Sequence, residues 1–523
     1  MRNFLLKNMY TIVLGLIFLL AFFLRAYRLT EIPNIVHFDE ASLGYNAWCL
    51  AHYGVDRYFN QMPLYAQNLN GGQSPLYTYF VVLLIKTIGH GNLSLLLVRL
   101  PGFIFSALLV LAGTKSMSLI FHSKKVTLMS ALLLAVCPYY IMHGRFALDC
   151  NLMLTCSAIA LFLLARYICS NKLKDLILCG ISFGIVLYSY ALSYFVIPLF
   201  LIFICLYMLY TRKITFHRVI LLAFCVCITA LPVILFACSL LFHFEPFQFL
   251  WFTISPVASA RMADIASTNF FENIADIIKI TLTYSFYPLD ALDKYYTMYA
   301  ISIPFIVIGI FVSCKNFFRS LKKRYFDFSS IYLLFYLFSL VTIGLTGTHY
   351  VYRANYFFIS YLYFLVIGIY TVYQFVRSYR RFFICTLCAC YLVWSLSFFR
   401  YYFQIFSMAD TYIYPNSLYF TSAEEPVSYA QNQLNVEDIY IDAIGMEEYH
   451  CFFNPISPYE KKELQHEDGY GRYHFEINYD TPIEPSNAYI VQKQNNKFIA
   501  QLNNSGMSFT TVEYPYYYLF YFQ

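Results

Sequence analysis

Charge is scarce in this sequence: only 12% of its 523 residues are Asp, Glu, Lys or Arg, about half the share of a typical soluble domain. A single large core cannot absorb that deficit, because cores stop growing at about 250–300 residues. A large soluble protein is therefore excluded. Lipid-facing helices are what a chain 60% hydrophobic and 20% aromatic requires. Also lacking are an internal repeat, a low-complexity linker and a small-residue cleavage site after the first apolar run. With Arg25 and Arg28 following it, that run is expected to stay as an anchor. The fifteen cysteines do not compose a disulfide framework. Most lie in apolar runs, where cysteine is a small soft hydrophobe, and Cys49, Cys150 and Cys451 in outward segments are irregularly spaced.

What is present is a series of apolar runs of about 17–25 residues, the length that crosses the hydrocarbon layer. About eleven spans are expected, at 9–24, 96–120, 126–142, 151–168, 176–190, 192–210, 218–242, 298–314, 329–347, 354–376 and 382–400. Basic residues fall in alternate connections: Arg2 and Lys7; Lys124 and Lys125; Arg166, Lys172 and Lys174; Arg212, Lys213 and Arg218. The set continues with Lys315, Arg319, Lys322, Lys323 and Arg324, then Arg377, Arg380 and Arg381. The positive-inside rule makes these loops and the N-terminus cytoplasmic. The net charge of +6 thus reflects topology. It implies a bilayer as partner and no nucleic acid.

The chain reads as a polytopic α-helical membrane domain, residues 1–400, followed by a small extracytoplasmic α/β domain, residues 401–523. The first outer loop, about 25–95, holds an amphipathic helical pattern at 39–53 and a short apolar run from Pro75 to Ile88, both expected to lie along the interface. In the tail a helix is expected near 424–433, with strands at 438–442, 472–478, 487–493 and 509–521. About 120 residues suffice for one small domain.

Three outward segments carry candidate chemistry. His37-Phe38-Asp39-Glu40 follows the first span, with Ala41, Gly44-Tyr45, Ala47 and Gly54 behind it. The plainer reading is capping, with Asp39 as N-cap and Glu40 in the first turn. The chemical reading is a general base held beside a lipid-borne substrate. The next outward turn holds Pro138-Tyr139-Tyr140, His143-Gly144-Arg145 and Asp149. Arg145 and Asp149 can pair at i,i+4 on a helix end, or add a cation and a second carboxylate to the same face. Finally, Gly347-Thr348-His349-Tyr350-Val351-Tyr352-Arg353-Ala354-Asn355 joins two late spans. Its Arg and Asn can snorkel to headgroups, or Arg353 can hold a phosphate with its planar fork. Ionisable groups at span ends are costly if idle and are functional candidates by default.

The order of these motifs resembles the multi-pass GT-C glycosyltransferases that use a polyprenyl-phosphate sugar donor, a superfamily including protein O-mannosyltransferases and the aminoarabinose transferases of lipid A. The match runs through Asp39-Glu40, Gly44-Tyr45 and Ala47, then Gly71 with Pro75-Leu76-Tyr77, Arg99-Leu100-Pro101, Pro138, and Arg145 to Asp149. His349, Arg353 and Asn355 are similar to the late outer loop of bacterial members. Coverage is good for residues 1–170, moderate to 400 and weak in the tail. The resemblance implies transfer of a hexosyl or pentosyl group to an envelope glycan, lipid or protein on the outer face, with inversion. Asp39 would be the base, Glu40 and Asp149 the next catalytic candidates, and Arg145, His349, Arg353, Asn355 and Tyr45 the substrate-binding set. One departure is visible. Several relatives place a Lys before a Pro pair in the first loop, whereas this chain reads Gly72-Gln73-Ser74-Pro75. No cofactor is required. The carboxylates permit Mg²⁺ or Mn²⁺, although no spacing demands either, and no metal ligands are assigned. The alternatives are a flippase for lipid-linked sugars, which would need ionisable or broken segments at mid-membrane, and an envelope polymerase or ligase, which would not need the early Asp-Glu pair.

Overall fold

The computed structural model describes residues 2–68, 71–256, 269–284, 289–348, 350–408, 419–420, 423–442, 446–478 and 480–522. The chain divides into two compact units. One comprises Met1–Leu29, Leu69–Tyr77 and Arg99–Phe406; the other comprises Thr30–Asn68, Thr78–Val98 and Ser407–Gln523.

The helices of the first 242 residues are α1 (Arg2–Ala26), α2 (Phe38–Tyr53), α3 (Pro75–Thr87), α4 (Leu95–Phe121), α5 (Lys124–Val136), α6 (Pro138–Met142), α7 (Asn151–Ser170), α8 (Leu173–Val186), α9 (Ser193–Tyr210), α10 (Phe216–Thr229) and α11 (Leu231–Phe242). Later come Phe270–Leu282, Ser302–Lys323, Ser329–Thr346, Tyr356–Phe375 and Arg380–Arg400. Every expected span contains a helix. Among the described residues eight are long and apolar enough to cross a bilayer, or nine if α10 and α11 count as one bent span.

Proline accounts for two departures from continuous spans. Pro138 opens α6 and leaves Cys137 extended at φ −70°, ψ 140°, as steric clash before proline requires; the expected span 126–142 is therefore interrupted. Pro232, at the start of α11, accompanies a 74° bend between α10 and α11, a usual cause of a sharp kink.

Tyrosine hydroxyls tie the helices of this unit together. Ser116 meets Tyr332 at 2.8 Å, Ser302 meets Tyr391 at 2.6 Å, Tyr356 meets Ser193 at 2.5 Å and Ser329 meets Tyr363 at 2.9 Å. Such pairs act as polar glue where apolar burial gives helices no preference for each other over lipid. The helices Ser302–Lys323 and Tyr356–Phe375 approach through reciprocal glycines. A Cβ at Gly309 would fall 1.9 Å from the Phe364 carbonyl, and one at Gly368 would fall 1.9 Å from that of Phe305.

The second unit combines most of the segment between α1 and α4 with the tail. Its strands are β1 (Val36–His37), β2 (Ala66–Asn68), β6 (Tyr419–Phe420), β7 (Ile439–Ile441), β8 (Gln465–His466), β9 (Gly469–Tyr470), β10 (Tyr473–His474), β11 (Ala488–Gln492), β12 (Thr510–Glu513) and β13 (Tyr517–Tyr521); β3 (Gly71–Gln73), β4 (Phe247–Phe249) and β5 (Phe252–Ile254) lie in the first unit. A seven-stranded sheet runs β12-β13-β11-β7-β10-β9-β8, with β7 parallel to both β10 and β11. Tyr440, Tyr489, Val491, Phe498, Leu502 and Phe520 form its core.

The expected tail helix is found at Glu424–Gln433, and the 509–521 segment is a hairpin of two strands. The helices Met446–Phe453, Pro458–Glu463 and Asn496–Asn504 were not anticipated. The tail also clasps residues 34–37, just after α1. β6 pairs antiparallel with β1, and Ser407 and Met408 bond to the Asn34 side chain at 2.9 and 2.8 Å. Packing against Met446–Phe453 gives α2 a mostly buried surface, including Ala41, Leu43, Tyr45, Ala47 and Leu50. Within its unit α2 is an internal helix, its apolar face covered by the tail.

Candidate active site

The cap of α2 is His37, two residues before the Asp39 cap expected from sequence. The His37 Nδ1 accepts from the Asp39 amide at 3.0 Å, and the Glu40 carboxylate accepts from the His37 amide at 2.9 Å. This is a capping box with histidine as the cap. Glu40 is fully buried in that role. Asp39, at the second helical position, is spared from capping and keeps 46% of its side chain exposed. The helix N-terminus favours its negative charge.

A polar web faces Asp39. The Asn68 amide nitrogen donates to Asp39 Oδ1 at 3.3 Å. The opposite side of the same amide accepts from Ser42 Oγ at 2.6 Å and Arg57 Nη2 at 2.7 Å. Guanidinium can only donate, so Arg57 fixes which end of Asn68 is offered to Asp39. Asp56 shapes the loop beneath by accepting from the Tyr58, Asn60 and Gln67 amides. Tyr45 is buried, its hydroxyl donating to the Ile456 carbonyl at 3.0 Å. Gly44 packs so closely on the tail that a Cβ would lie 2.5 Å from the Phe452 ring. The Gly44-Tyr45 motif therefore lies in the packing between α2 and Met446–Phe453.

In the other unit, Arg145 turns its fully buried guanidinium onto the end of α1. It donates to the carbonyls of Leu24, Arg25, Tyr27 and Arg28 at 2.9, 2.8, 2.6 and 3.2 Å. The Phe403 ring lies 5.1 Å away on its face. Cations suit the C-terminal end of a helix, where carbonyls lack partners. Arg25 does similar work, bonding to Ser106 Oγ and to the Ala21, Leu134 and Tyr140 carbonyls. Asp149 is partly exposed, and its Oδ2 accepts from the Ser74 amide at 3.0 Å and the Ser74 hydroxyl at 2.8 Å.

Asn355 is buried. It donates to the Cys150 carbonyl at 2.9 Å and accepts from the Tyr139 hydroxyl, so it ties the turn 143–150 to the start of the late span. Arg353 lies in a 3₁₀ turn, Val351–Ala354, partly exposed, against the Tyr350 and Tyr352 rings at 4.6 and 5.7 Å. Among the described residues it has no carboxylate partner. His349 lies outside the described residues.

Two further buried groups are His143, quoted with its turn from sequence but given no role, and Asp290, which was not singled out. The His143 ring stacks on Tyr139 and has no hydrogen-bond partner at either nitrogen. Burial, with the Arg25 charge adding to it, pushes its imidazole down to about 3. Asp290 is buried with both oxygens unpartnered, and burial holds its carboxyl well above its ordinary value.

The helical unit, with eight described helices long and apolar enough to cross a bilayer, is that of a multi-pass membrane protein. Residues 72–236 match the family model described as dolichyl-phosphate-mannose-protein mannosyltransferase. The fold is similar to ArnT from Cupriavidus metallidurans bound to undecaprenyl phosphate, with 10% identity over 98% of this chain and 97% of that one, at a TM-score of 0.57. ArnT in the apo state gives 12% identity, 99% and 98% coverage and 0.56. The oligosaccharyltransferase of Archaeoglobus fulgidus, in complex with Zn and sulfate, gives 15% identity and 0.49, and this chain spans 61% of its length. No curated protein sequence matches the chain. The resemblance drawn from motif order therefore holds at the level of the fold.

Proposed function

We propose that the chain is a glycosyltransferase that moves a hexosyl or pentosyl group from a polyprenyl-phosphate donor to an envelope glycan, lipid or protein, on the outer face of the membrane. The observation that carries this is Asp39. Its neighbour Glu40 and His37 complete the cap, which leaves an accessible carboxylate with an oriented amide, Asn68, beside it. The family match at residues 72–236 and the fold shared with an undecaprenyl-phosphate complex support the donor class.

In the proposed step an acceptor hydroxyl attacks the anomeric carbon as Asp39 takes its proton. The bond from that carbon to the phosphate oxygen breaks with inversion, and polyprenyl phosphate leaves as an anion. No general acid is needed for such a leaving group. Arg353, free of carboxylates among the described residues and held by tyrosine rings, offers the positive charge that the departing phosphate requires. His349 is a second candidate for that role, and Asp149, held by Ser74, would position the acceptor. Basic residues in alternate loops support an N-terminus inside and a tail outside.

The 74° break between α10 and α11 is a feature a flippase would share. Between Val219 and Phe242 these helices carry no ionisable side chain except cysteine, so the break lacks the charged site such transport uses. Release of polyprenyl phosphate by reconstituted protein, assayed over a panel of polyprenyl-phosphate sugars, tests the reading. Glycosidic product from the unaltered protein and none from Asp39→Asn is expected. Transbilayer movement of donor with no glycosidic product would refute it.

A further inference from the structure

A second cluster of titratable groups lies in the tail sheet and plays no part in the proposed transfer. The strands β8, β9 and β10 run side by side, with His466 opposite Gly469 and Gly469 opposite His474. Cross-strand neighbours project from the same face of a sheet, so two histidines flank one glycine. Nothing larger fits between them. A Cβ on Gly469 would fall 3.2 Å from His466 Cε1 and 1.9 Å from the Tyr473 carbonyl. The two imidazoles consequently approach to 4.6 Å between ring centres.

Asp468, in the turn between β8 and β9, directs its carboxylate at both rings. His466 Nδ1 lies 2.9 Å from Oδ1, and His474 Nδ1 lies 3.0 Å from Oδ1 and 2.9 Å from Oδ2. One ligand atom from each of the three residues can be chosen so that all lie within 4.8 Å of one another. The outer surroundings are ordered too. His474 stacks on Tyr440 at 4.3 Å, and its Nε2 faces Asp438 Oδ1 at 3.7 Å. A carboxylate at Nε2 favours the tautomer that leaves the Nδ1 lone pair free, the arrangement that supports metal-bound histidines.

We infer that His466 Nδ1, Asp468 and His474 Nδ1 form a three-ligand site for a divalent transition metal of the zinc class, with Asp438 as outer partner and a fourth position open to water. Two imidazoles and one carboxylate suit zinc and its neighbours, whereas calcium and magnesium take oxygen shells. Ligand atoms around tetrahedral zinc stand about 3.3 Å apart for bonds near 2.0–2.1 Å, so the two His–Asp separations of 2.9 to 3.0 Å need open by only a few tenths of an ångström, with the imidazole nitrogens already within 4.8 Å of each other. The metal would replace the protons now shared with Asp468 and staple the β8–β9 turn to β10, which itself pairs with β7 at the centre of the sheet.

The test uses the full-length protein in detergent, stripped with chelator and titrated with Zn²⁺. One zinc per chain is expected, with X-ray absorption reporting a four-coordinate shell of two imidazole nitrogens and oxygens. His466→Gln and His474→Gln should each weaken binding by about 100-fold or more, and Asp438→Asn by about 10-fold. Absence of stoichiometric zinc, a thiolate or all-oxygen shell, or affinity unchanged in both histidine variants would overturn the assignment and leave a hydrogen-bonded His-Asp-His clasp. The absorption measurement needs only the unaltered chain, so a variant that fails to fold does not remove the test.

Discussion

The start of α2 and the turn 143–150 each offer a pair of charged residues close in sequence, and the structure divides both pairs in the same way. At α2 the fully buried Glu40 completes the cap and Asp39 keeps solvent access. In the turn, buried Arg145 closes the end of α1 and Asp149 stays partly exposed against Ser74. One member of each pair builds the scaffold and the other keeps some solvent access. Charge and spacing are the same kind of signal in both; only burial and partners separate the roles.

Substitutions can break or sharpen that division. Asp39→Asn should lower transfer by about 100-fold or more with no shift in melting temperature; a shift with activity retained would move Asp39 to the scaffold. Arg145→Met should cost roughly 3 kcal/mol or more, since it strands buried carbonyls at the end of α1, and should appear as lost expression or a lowered melting temperature before any effect on chemistry.

A smaller effect comes from His143, whose imidazole is neutral and buried. The folded value of about 3 lies below the ordinary one of 6.5, so the unfolded chain binds the proton first. Stability should therefore fall as pH drops below about 6.5, by ~2 kcal/mol at pH 5. His143→Phe, which can still stack on Tyr139, should flatten thermal stability over that range. Smallest of all, Glu40→Gln should cost about 0.5 kcal/mol and leave transfer intact, because glutamine also closes a capping box.

Much of the fold was legible in the sequence, because length and apolar content identify spans directly. Every expected span holds a helix. The interruptions at Pro138 and Pro232 had a visible signal in proline itself, which was outweighed by the continuous apolar runs around it. The tail's central strands at 439–441 and 488–492 were legible from alternation and β-branched content. Its helix Met446–Phe453 was not, because its buried face is completed by α2, some 400 residues earlier.

The sequence marked candidate residues but not the partners that the fold gives them. Arg145 bonds to carbonyls more than 110 positions away, and Asn355 bonds to Cys150, 205 positions away. Main-chain carbonyls carry no mark in a sequence, so no local pattern could reveal that these side chains would be used in construction. The same holds for Asn68 and Arg57, whose orientation of the amide beside Asp39 depends on how the loop 54–68 folds back onto α2.

The central claim is that an accessible Asp39 carboxylate takes the proton while its buried neighbour holds the helix. It is tested most directly by measuring polyprenyl-phosphate release and melting temperature side by side for Asp39→Asn and Glu40→Gln. The account predicts an inactive protein of unchanged stability in the first case and an active, slightly less stable protein in the second. Activity surviving Asp39→Asn and vanishing with Glu40→Gln at unchanged stability would contradict it.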